Sequence, residues 1–470
     1  MKFFILKMQV NGIKSIDKEV TFNFCNSTLS KQPDFSDSHV KAIYGPNGAG
    51  KTGLIYAADI YYNLVFDEKY ITISNYNESL KNLINQKTGE FKVRFIFANL
   101  KDNGTLDAIF SHHFVLKKVS GEYIIAEEKF SKLSGYNVNA EEKYSTIFHV
   151  RDGEVIETFR GYKHIDDLKK ATMNLLTKSS LLSAIATRPP AEGITFGVTL
   201  LNYLQYLISF IENITIVLQE SDTNFINFLR IKKQLDLITQ SREKIDKEIF
   251  NELLYYNRFV NTDKCVRRIS KDRFVSYQSE VDNLCSFIKV FKDDLETIEI
   301  KREENGEYYE CENILIYKDN RRISEKFEST GIKKLIEIYS ALCDLEKGKI
   351  VFIDEFDANI HDVLLVKIVE YVMEYSCGQF VFTTHNLGPM EELENGKHSI
   401  DFLSSDSRVE SWKSNGNYSA AAQYSKGYVK YSPFNIEAFN FIGVFGEGRA
   451  VEDDKDDLEI TEADSGEEDK

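Results

Sequence analysis

Eight consecutive residues carry the first recognisable chemistry. Gly45, Pro46, Asn47, Gly48, Ala49, Gly50, Lys51 and Thr52 spell GPNGAGKT, a full match to G-x-x-x-x-G-K-[ST]. Three glycines let the backbone curl so that successive N–H groups face phosphate oxygens where a helix begins. Lys51 is then suited to the β and γ phosphates of ATP, and the Thr52 hydroxyl to Mg2+. An apolar strand precedes the run and an apolar helix follows it, the context in which this spacing has mechanical meaning.

A second constellation lies some 300 residues later. In "IVFIDEF", Asp354 ends a buried strand where a carboxylate can hold Mg2+, and Glu355 follows at once. With Asp354 committed to the cation, Glu355 is free to orient or deprotonate the water that attacks the γ phosphate. His385 closes the strand "FVFTTH", which should neighbour the acidic one; an imidazole there can donate to the γ phosphate and sense its presence. The segment "ESTGIKK" opens a helix with Ser329 and Thr330 as caps and Gly331 permitting close approach. It reads as a second anion-binding helix start, meeting a nucleotide held by another protomer.

The elements that must position these residues follow from periodicity. "FFILKMQV", "KEVTFNF" and "VKAIYG" read as strands, and a helix is expected from about Lys51 to Val65. From about Glu68 to Glu157 short β-rich runs broken by Gly turns predict an antiparallel β insert on the nucleotide side. Leu200, Leu204, Leu207, Ile211, Ile214 and Leu218 form an a/d stripe, so a helical, short coiled-coil-like lobe is expected between about Asp166 and Ile298. After Glu299, strands give way to helices alternating with wholly apolar strands, the pattern of a parallel α/β core. The expected division is 1–165, 166–298, 299–450 and an acidic tail, 451–470.

Composition narrows the classes further. With 470 residues, 42% of them apolar, the chain can bury a large core, which excludes wholesale disorder and fibrous architecture. The net charge is −16, but the segment from Glu452 to Lys470 holds eleven acids against two lysines. The remainder is only mildly acidic, so no global nucleic-acid footprint exists. Six cysteines without a CxxC pair or a preceding signal-peptide pattern point to a reducing, cytoplasmic setting. The greasiest stretch, Ile194 to Leu218, places Asn202, Gln205, Glu212 and Asn213 where a bilayer would reject them.

Taken in order, "VNGIKSIDKEVTF", GPNGAGKT, "ESTGIKK", "FIDEFDANIH" and "FVFTTHN" resemble the ABC-type ATPases of the SMC and RecF group. More narrowly, the chain resembles AbiL-like and overcoming-lysogenisation-defect-like ATPases of antiphage systems, including the ATPase components of PARIS and Septu. The resemblance covers roughly residues 1–66 and 320–390. It implies an ABC-type P-loop NTPase head that pairs as a homodimer, or a higher even-numbered oligomer, with ATP between protomers. Lys51 and Thr52 would hold ATP and Mg2+, Asp354 the metal, Glu355 would be the base and His385 the switch. Ser329 and Gly331 would be contacts in trans, and Ala358 to His361 a loop crossing the interface. Ile332 stands where relatives carry Thr or Gln, and neither a zinc-hook CxxC nor a Toprim acidic triad is present.

The function expected from this resemblance is an ATP-dependent switch that restrains a separately encoded effector, a nuclease, until a phage trigger arrives. Two alternatives stand beside it. A DNA-gripping repair ATPase would need basic tracks, for which Lys232-Lys233, Arg267-Arg268 and Arg321-Arg322 are the candidates. An ATP-gated ribonuclease would draw on Arg160 and His164, whose spacing is shorter than HEPN ribonucleases show.

Overall fold

The computed structural model describes residues 2–67, 69–72, 74–187, 195–218, 266–306, 308–414 and 418–429. Its elements begin with β1 (Lys2–Asn11), β2 (Val20–Asn23) and β3 (Val40–Tyr44), followed by α1 (Lys51–Phe66) and α2 (Ser74–Leu83). Five strands come next: β4 (Glu90–Leu100), β5 (Leu106–Val119), β6 (Glu122–Leu133), β7 (Tyr144–Arg151) and β8 (Glu154–Thr158). Helices α3 (Ile165–Thr172), α4 (Leu181–Thr187) and α5 (Val198–Glu212) lead into β9 (Ile214–Val217). The chain continues through β10 (Val266–Ser270), α6 (Phe274–Phe291), β11 (Leu295–Asn305), β12 (Tyr308–Tyr317) and β13 (Arg322–Ser324). It then runs through α7 (Thr330–Glu346), β14 (Ile350–Ile353), α8 (Asp362–Tyr375), β15 (Gln379–Thr383), α9 (Gly388–Leu393), β16 (Ile400–Leu403), β17 (Val409–Ser411) and α10 (Ala420–Ser425).

Strands that are apolar at every position need cover on both faces. β3, β14 and β15 are buried throughout and lie inside a six-stranded sheet of order β17-β16-β3-β15-β14-β9, parallel except for β17. One face packs on α1 and α5 through Ile43, Phe352 and Val381. The other packs on α7, α8 and α9 through Ala42, Ile353 and Phe382. This is the α/β, ABC-type P-loop arrangement, with an antiparallel sheet as a further layer.

That antiparallel sheet has seven strands in the order β2-β1-β4-β5-β6-β7-β8. The strands expected from Glu68 to Glu157 therefore continue from β1 and β2, which frame the phosphate loop from the N-terminal side. Gln379 ties the two sheets: its side chain accepts from Ile5 N at 2.8 Å and donates to Ile5 O at 3.0 Å, beside the register shift of β1 between Ile5 and Lys7. α5 fills the space between, with Phe210 stacked on Phe97 at 3.8 Å between ring centroids.

The a/d stripe is corrected by the fold. α5 ends at Glu212, and Ile214 to Val217 form β9, an edge strand pairing in parallel with β14. A short run of β-branched residues satisfies helical and buried-strand patterns equally, and here the ladder to β14 decides. Asn213 marks the change, its carbonyl accepting from Ile350 N at 2.6 Å. The region expected to be helical to Ile298 also contains β10 and the start of β11, which with β12 and β13 form a small sheet packed on α6. Cys265, Lys232-Lys233 and the acidic tail lie outside the described residues, where the other five cysteines are free thiols. Among the described residues no helix is long and apolar enough to cross a membrane.

Helix α1 is buried on nearly all sides, so its polar groups need partners. The Tyr61 hydroxyl meets His112 Nδ1 at 2.8 Å, His112 Nε2 lies 3.2 Å from Glu128 Oε1, and Leu181 N donates to Glu128 Oε2 at 2.7 Å. Asp59 fares worse: its Oδ1 finds no hydrogen-bond partner among the described residues, and burial pushes its carboxyl up to about 7. Because the folded-state value is raised, folding is penalised progressively as pH climbs from the unfolded carboxyl's value towards about 7, and fully above it. Asp59→Asn should therefore stabilise the protein by about 4 kcal/mol at alkaline pH, the order-of-magnitude equivalent of a carboxyl raised to about 7. The gain should fade on acidification through about 7. Urea midpoints measured across that range check the trend; a gain independent of pH would contradict it.

Candidate nucleotide site

Parallel pairing sets the ends of neighbouring strands side by side. Ile43 of β3 faces Thr383 of β15, while Ile353 of β14 faces Phe382 of β15. The turns after these strands, with Gly45, Asp354 and His385, consequently emerge at one edge of the sheet, where α/β proteins place their ligands.

The phosphate loop is built as its composition requires. A Cβ on Gly45 would lie 2.2 Å from Leu403 O, so only glycine lets β3 turn past β16. Gly50, at φ +107°, caps α1 in a left-handed conformation, and a Cβ there would strike the Ile16 side chain at 2.7 Å. Asn47 and Gly48 form the exposed crest, Pro46 is half-buried, and Ala49 is buried beneath them, with its N–H donating to Pro46 O at 3.2 Å. Thr52 is half-buried in the first turn of α1. Lys51 folds back over the loop, its Nζ donating to Gly45 O at 2.8 Å and Pro46 O at 3.2 Å. Burial lowers its ammonium to about 8, against the opposing pull of Asp354, Asp357 and Glu355.

The acidic strand end is held by one threonine. Asp354 is buried, and its Oδ1 accepts from Thr383 Oγ1 at 2.6 Å. Glu355 adopts φ +46°, a conformation sparsely used by residues with a Cβ, and its N–H donates to the same Thr383 Oγ1 at 2.8 Å. Phe356 anchors the following turn in the core between Phe380 and Phe382. His385 is exposed, and its backbone N–H donates to Asp357 Oδ2 at 3.3 Å. Its imidazole is held below the usual range first by desolvation and then by Lys51, with Asp357, Glu355 and Asp354 opposing.

Lys51, Asp354, Glu355 and His385 are thus gathered into one electrostatic cluster, together with Asp357, which sequence reasoning passed over inside "FIDEFDANIH". Three carboxylates against one ammonium leave excess negative charge; among the described residues no three such side chains close on a metal by themselves, so Mg2+ held here would need phosphate oxygens and water to complete its shell. Other residues missed were Thr383; Lys14, Ser15 and Ile16, which abut Gly50 and Gly53; and Tyr424, whose hydroxyl bonds the Gly45 backbone. Nothing in their local spacing announced them.

Ser329 and Gly331 sit elsewhere, beside the turn that follows Glu355. Ser329 caps α7, its Oγ accepting from Ile332 N at 3.4 Å. Thr330 Oγ1 lies 3.4 Å from Asn359 Oδ1, and a Cβ on Gly331 would stand 3.2 Å from Asn359 O. Ala358 N closes the turn onto Glu355 O at 2.9 Å.

The alternative sites look different. Arg267 is paired with Glu325 by two bonds of 2.7 Å and is no phosphate contact. Arg321 pairs with Asp319, Arg322 with Glu299, and Arg268 with Glu310. His164 Nδ1 is engaged by the Thr195 hydroxyl at 2.8 Å.

A glycine-rich loop at a helix start, with an acidic strand end two strands along the same edge of a parallel sheet, defines an ABC-like P-loop ATPase. The chain belongs to the family described as "AAA domain, putative AbiEii toxin, Type IV TA system", whose profile matches residues 128–391. No curated protein matches the chain. Among solved structures, it is similar to an Smc head domain with an extended coiled coil, bound to the C-terminal domain of ScpA, derived from Pyrococcus furiosus. That match has 15% identity and a TM-score of 0.39, covering 87% of this chain and 96% of the other. It is also similar to the SMC head domain from Thermotoga maritima, with 16% identity and a TM-score of 0.31, covering 88% of this chain and 100% of that one.

The Lys51 environment gives a measurable pH dependence. Above about 8 the free protein sheds this proton, whereas a bound polyanion favours its return. ATP affinity should decline as pH rises through that value, with proton uptake on binding. Calorimetry in two buffers of different ionisation enthalpy detects the uptake; identical apparent enthalpies would speak against it.

Proposed function

We propose that this chain hydrolyses ATP as a dimerising switch, and that in the cell it restrains a separately encoded toxic effector, of nuclease class, until infection. The gathering of Lys51, Asp354, Glu355 and His385 at one sheet edge carries the enzymatic part. The family's description, which names a toxin and a toxin–antitoxin system, supports the part about an effector.

In this reading Pro46, Asn47, Gly48, Ala49 and Gly50 supply the backbone that wraps the phosphates, and Lys51 leaves the Gly45 and Pro46 carbonyls for the β and γ oxygens. Thr52 and Asp354 would hold Mg2+, which supplies charge neutralisation on the phosphates when bound. Glu355 accepts a proton from the attacking water as the bond from the γ phosphorus to the bridging oxygen breaks, releasing phosphate and ADP. His385, largely neutral, can donate one hydrogen bond to the γ phosphate.

Dimerisation is supported by what a single copy leaves uncovered. Ser329 and Thr330 are exposed at the start of α7, Phe327 just before them is 76% exposed, and Val363 just after the turn containing Asn359 is 63% exposed. A second copy bringing Ser329 and Gly331 to the γ phosphate would cover this face. The basic pairs expected of a DNA track are neutralised by acids wherever they are described, so no observation favours direct nucleic-acid binding.

Lys51→Ala should abolish ATP binding, and with it protection of cells challenged by phage. Glu355→Gln should bind ATP but turn over at least about a hundredfold more slowly, in the range for loss of a general base. It should also accumulate as a dimer in the presence of ATP by light scattering. A monomer at all ATP concentrations, or undiminished protection by the Lys51 variant, would refute the reading.

A further inference from the structure

We infer that Thr383 is the positioning residue that sets Asp354 and Glu355 relative to one another, so that its hydroxyl governs metal–nucleotide retention and turnover together. The inference rests on the ATPase reading above and deepens it.

Three observations carry it. First, Thr383 is 1% exposed at the end of a strand whose other four members are all buried, three of them, Phe380, Val381 and Phe382, being apolar or aromatic, so valine would suit its packing equally well. A hydroxyl retained there must be used, because a buried polar group without partners is costly. Secondly, both of its capacities are used on the two acids: it donates to Asp354 Oδ1 at 2.6 Å and accepts from Glu355 N at 2.8 Å. A hydroxyl can do both at once, and no apolar replacement can do either. Thirdly, Glu355 has φ +46°, which needs outside support to persist. That support comes from Thr383 Oγ1 on the Glu355 N–H, and from Phe356, whose N–H donates to Thr383 O at 2.9 Å.

The consequence is a division of labour between adjacent threonines. Thr384 Oγ1 accepts from Asn386 N at 3.0 Å and shapes the turn carrying His385, while Thr383 reaches across to the neighbouring strand. With Asp354 Oδ1 engaged by the hydroxyl, the carboxylate's orientation is constrained and Oδ2 is the oxygen left for a cation. The same hydroxyl fixes the peptide from which the Glu355 side chain departs. A single group therefore aims both the metal carboxylate and the base, without itself touching substrate.

The test compares Thr383→Val with Thr383→Ser. The valine variant should lose about tenfold or more in kcat, the range seen when groups orienting metal ligands are removed. It should also require more Mg2+ for half-maximal turnover and bind Mn2+·ATP more weakly by electron paramagnetic resonance, while affinity for metal-free ATP stays within about twofold. Serine, which keeps the hydroxyl, should restore all three. If valine prevents folding, Thr383→Ala removes the hydroxyl without added bulk and is read the same way. A valine or alanine variant with wild-type kcat and Mn2+ affinity overturns this inference alone, as does a uniform loss that serine fails to rescue. A wild-type chain that neither binds nor hydrolyses ATP overturns the functional reading, and this inference with it.

Discussion

Everything at the site depends on the pairing register of three parallel strands. β3 delivers the phosphate loop, β14 the acids and β15 the histidine, and only the observed alignment of Ile43 with Thr383 and of Ile353 with Phe382 brings their ends level. A slip of one residue in β15 would turn Thr383 to the opposite face and carry its hydroxyl away from Asp354. The register is enforced by burial on both sides, since any slip would move buried side chains between two differently shaped cores. Gln379 adds a directional constraint at the other end of β15 by bonding both backbone groups of Ile5.

Within that frame the electrostatics are in tension. Lys51 is buried enough to lose much of its preference for the proton, yet three nearby carboxylates oppose the loss. The loop carbonyls of Gly45 and Pro46 hold the ammonium meanwhile. The imidazole of His385 is disfavoured as a cation by desolvation and by the same lysine. The cluster therefore carries more negative than positive charge, a state that a divalent cation with a triphosphate balances better than either alone.

The chemistry was more legible in the sequence than the architecture around it. GPNGAGKT and "IVFIDEF" announce themselves because the constraints acting on them are local: a tight turn, a helix start, an acid after an apolar strand. Thr383 and Asp357 were invisible as functional residues because their meaning lies in partners across a strand or turn. The stripe through Leu218 misled for a different reason. Ile214 continues the helical spacing of α5, but pairing with β14, distant in sequence, outweighs a periodicity that a four-residue strand can mimic. The split of the core between the start and the end of the chain was readable. The union of β1 and β2 with the strands after Glu90 was not, since antiparallel partners separated by tens of residues leave no periodic trace.

The start of α7 is fixed by contacts within the chain that leave one donor over. Ser329 spends its acceptor capacity on Ile332 N, and its N–H is taken by Glu328 Oε2 at 3.1 Å. Glu328 is in turn fixed by the Tyr317 hydroxyl at 2.6 Å, so the entry to the helix is rigid. The Ser329 O–H remains able to donate while the cap is intact, because a hydroxyl accepts and donates through different groups. A phosphate oxygen arriving at this helix start would gain that donor and the favourable end of the helix dipole without unmaking the cap. The nearest neighbour of such a contact is Asn359, four residues beyond Glu355 and joined to it through the turn closed by Ala358. The start of α7 and the turn that follows Glu355 are thus joined directly, by the Thr330–Asn359 hydrogen bond and by the close approach of Gly331 to the Asn359 carbonyl.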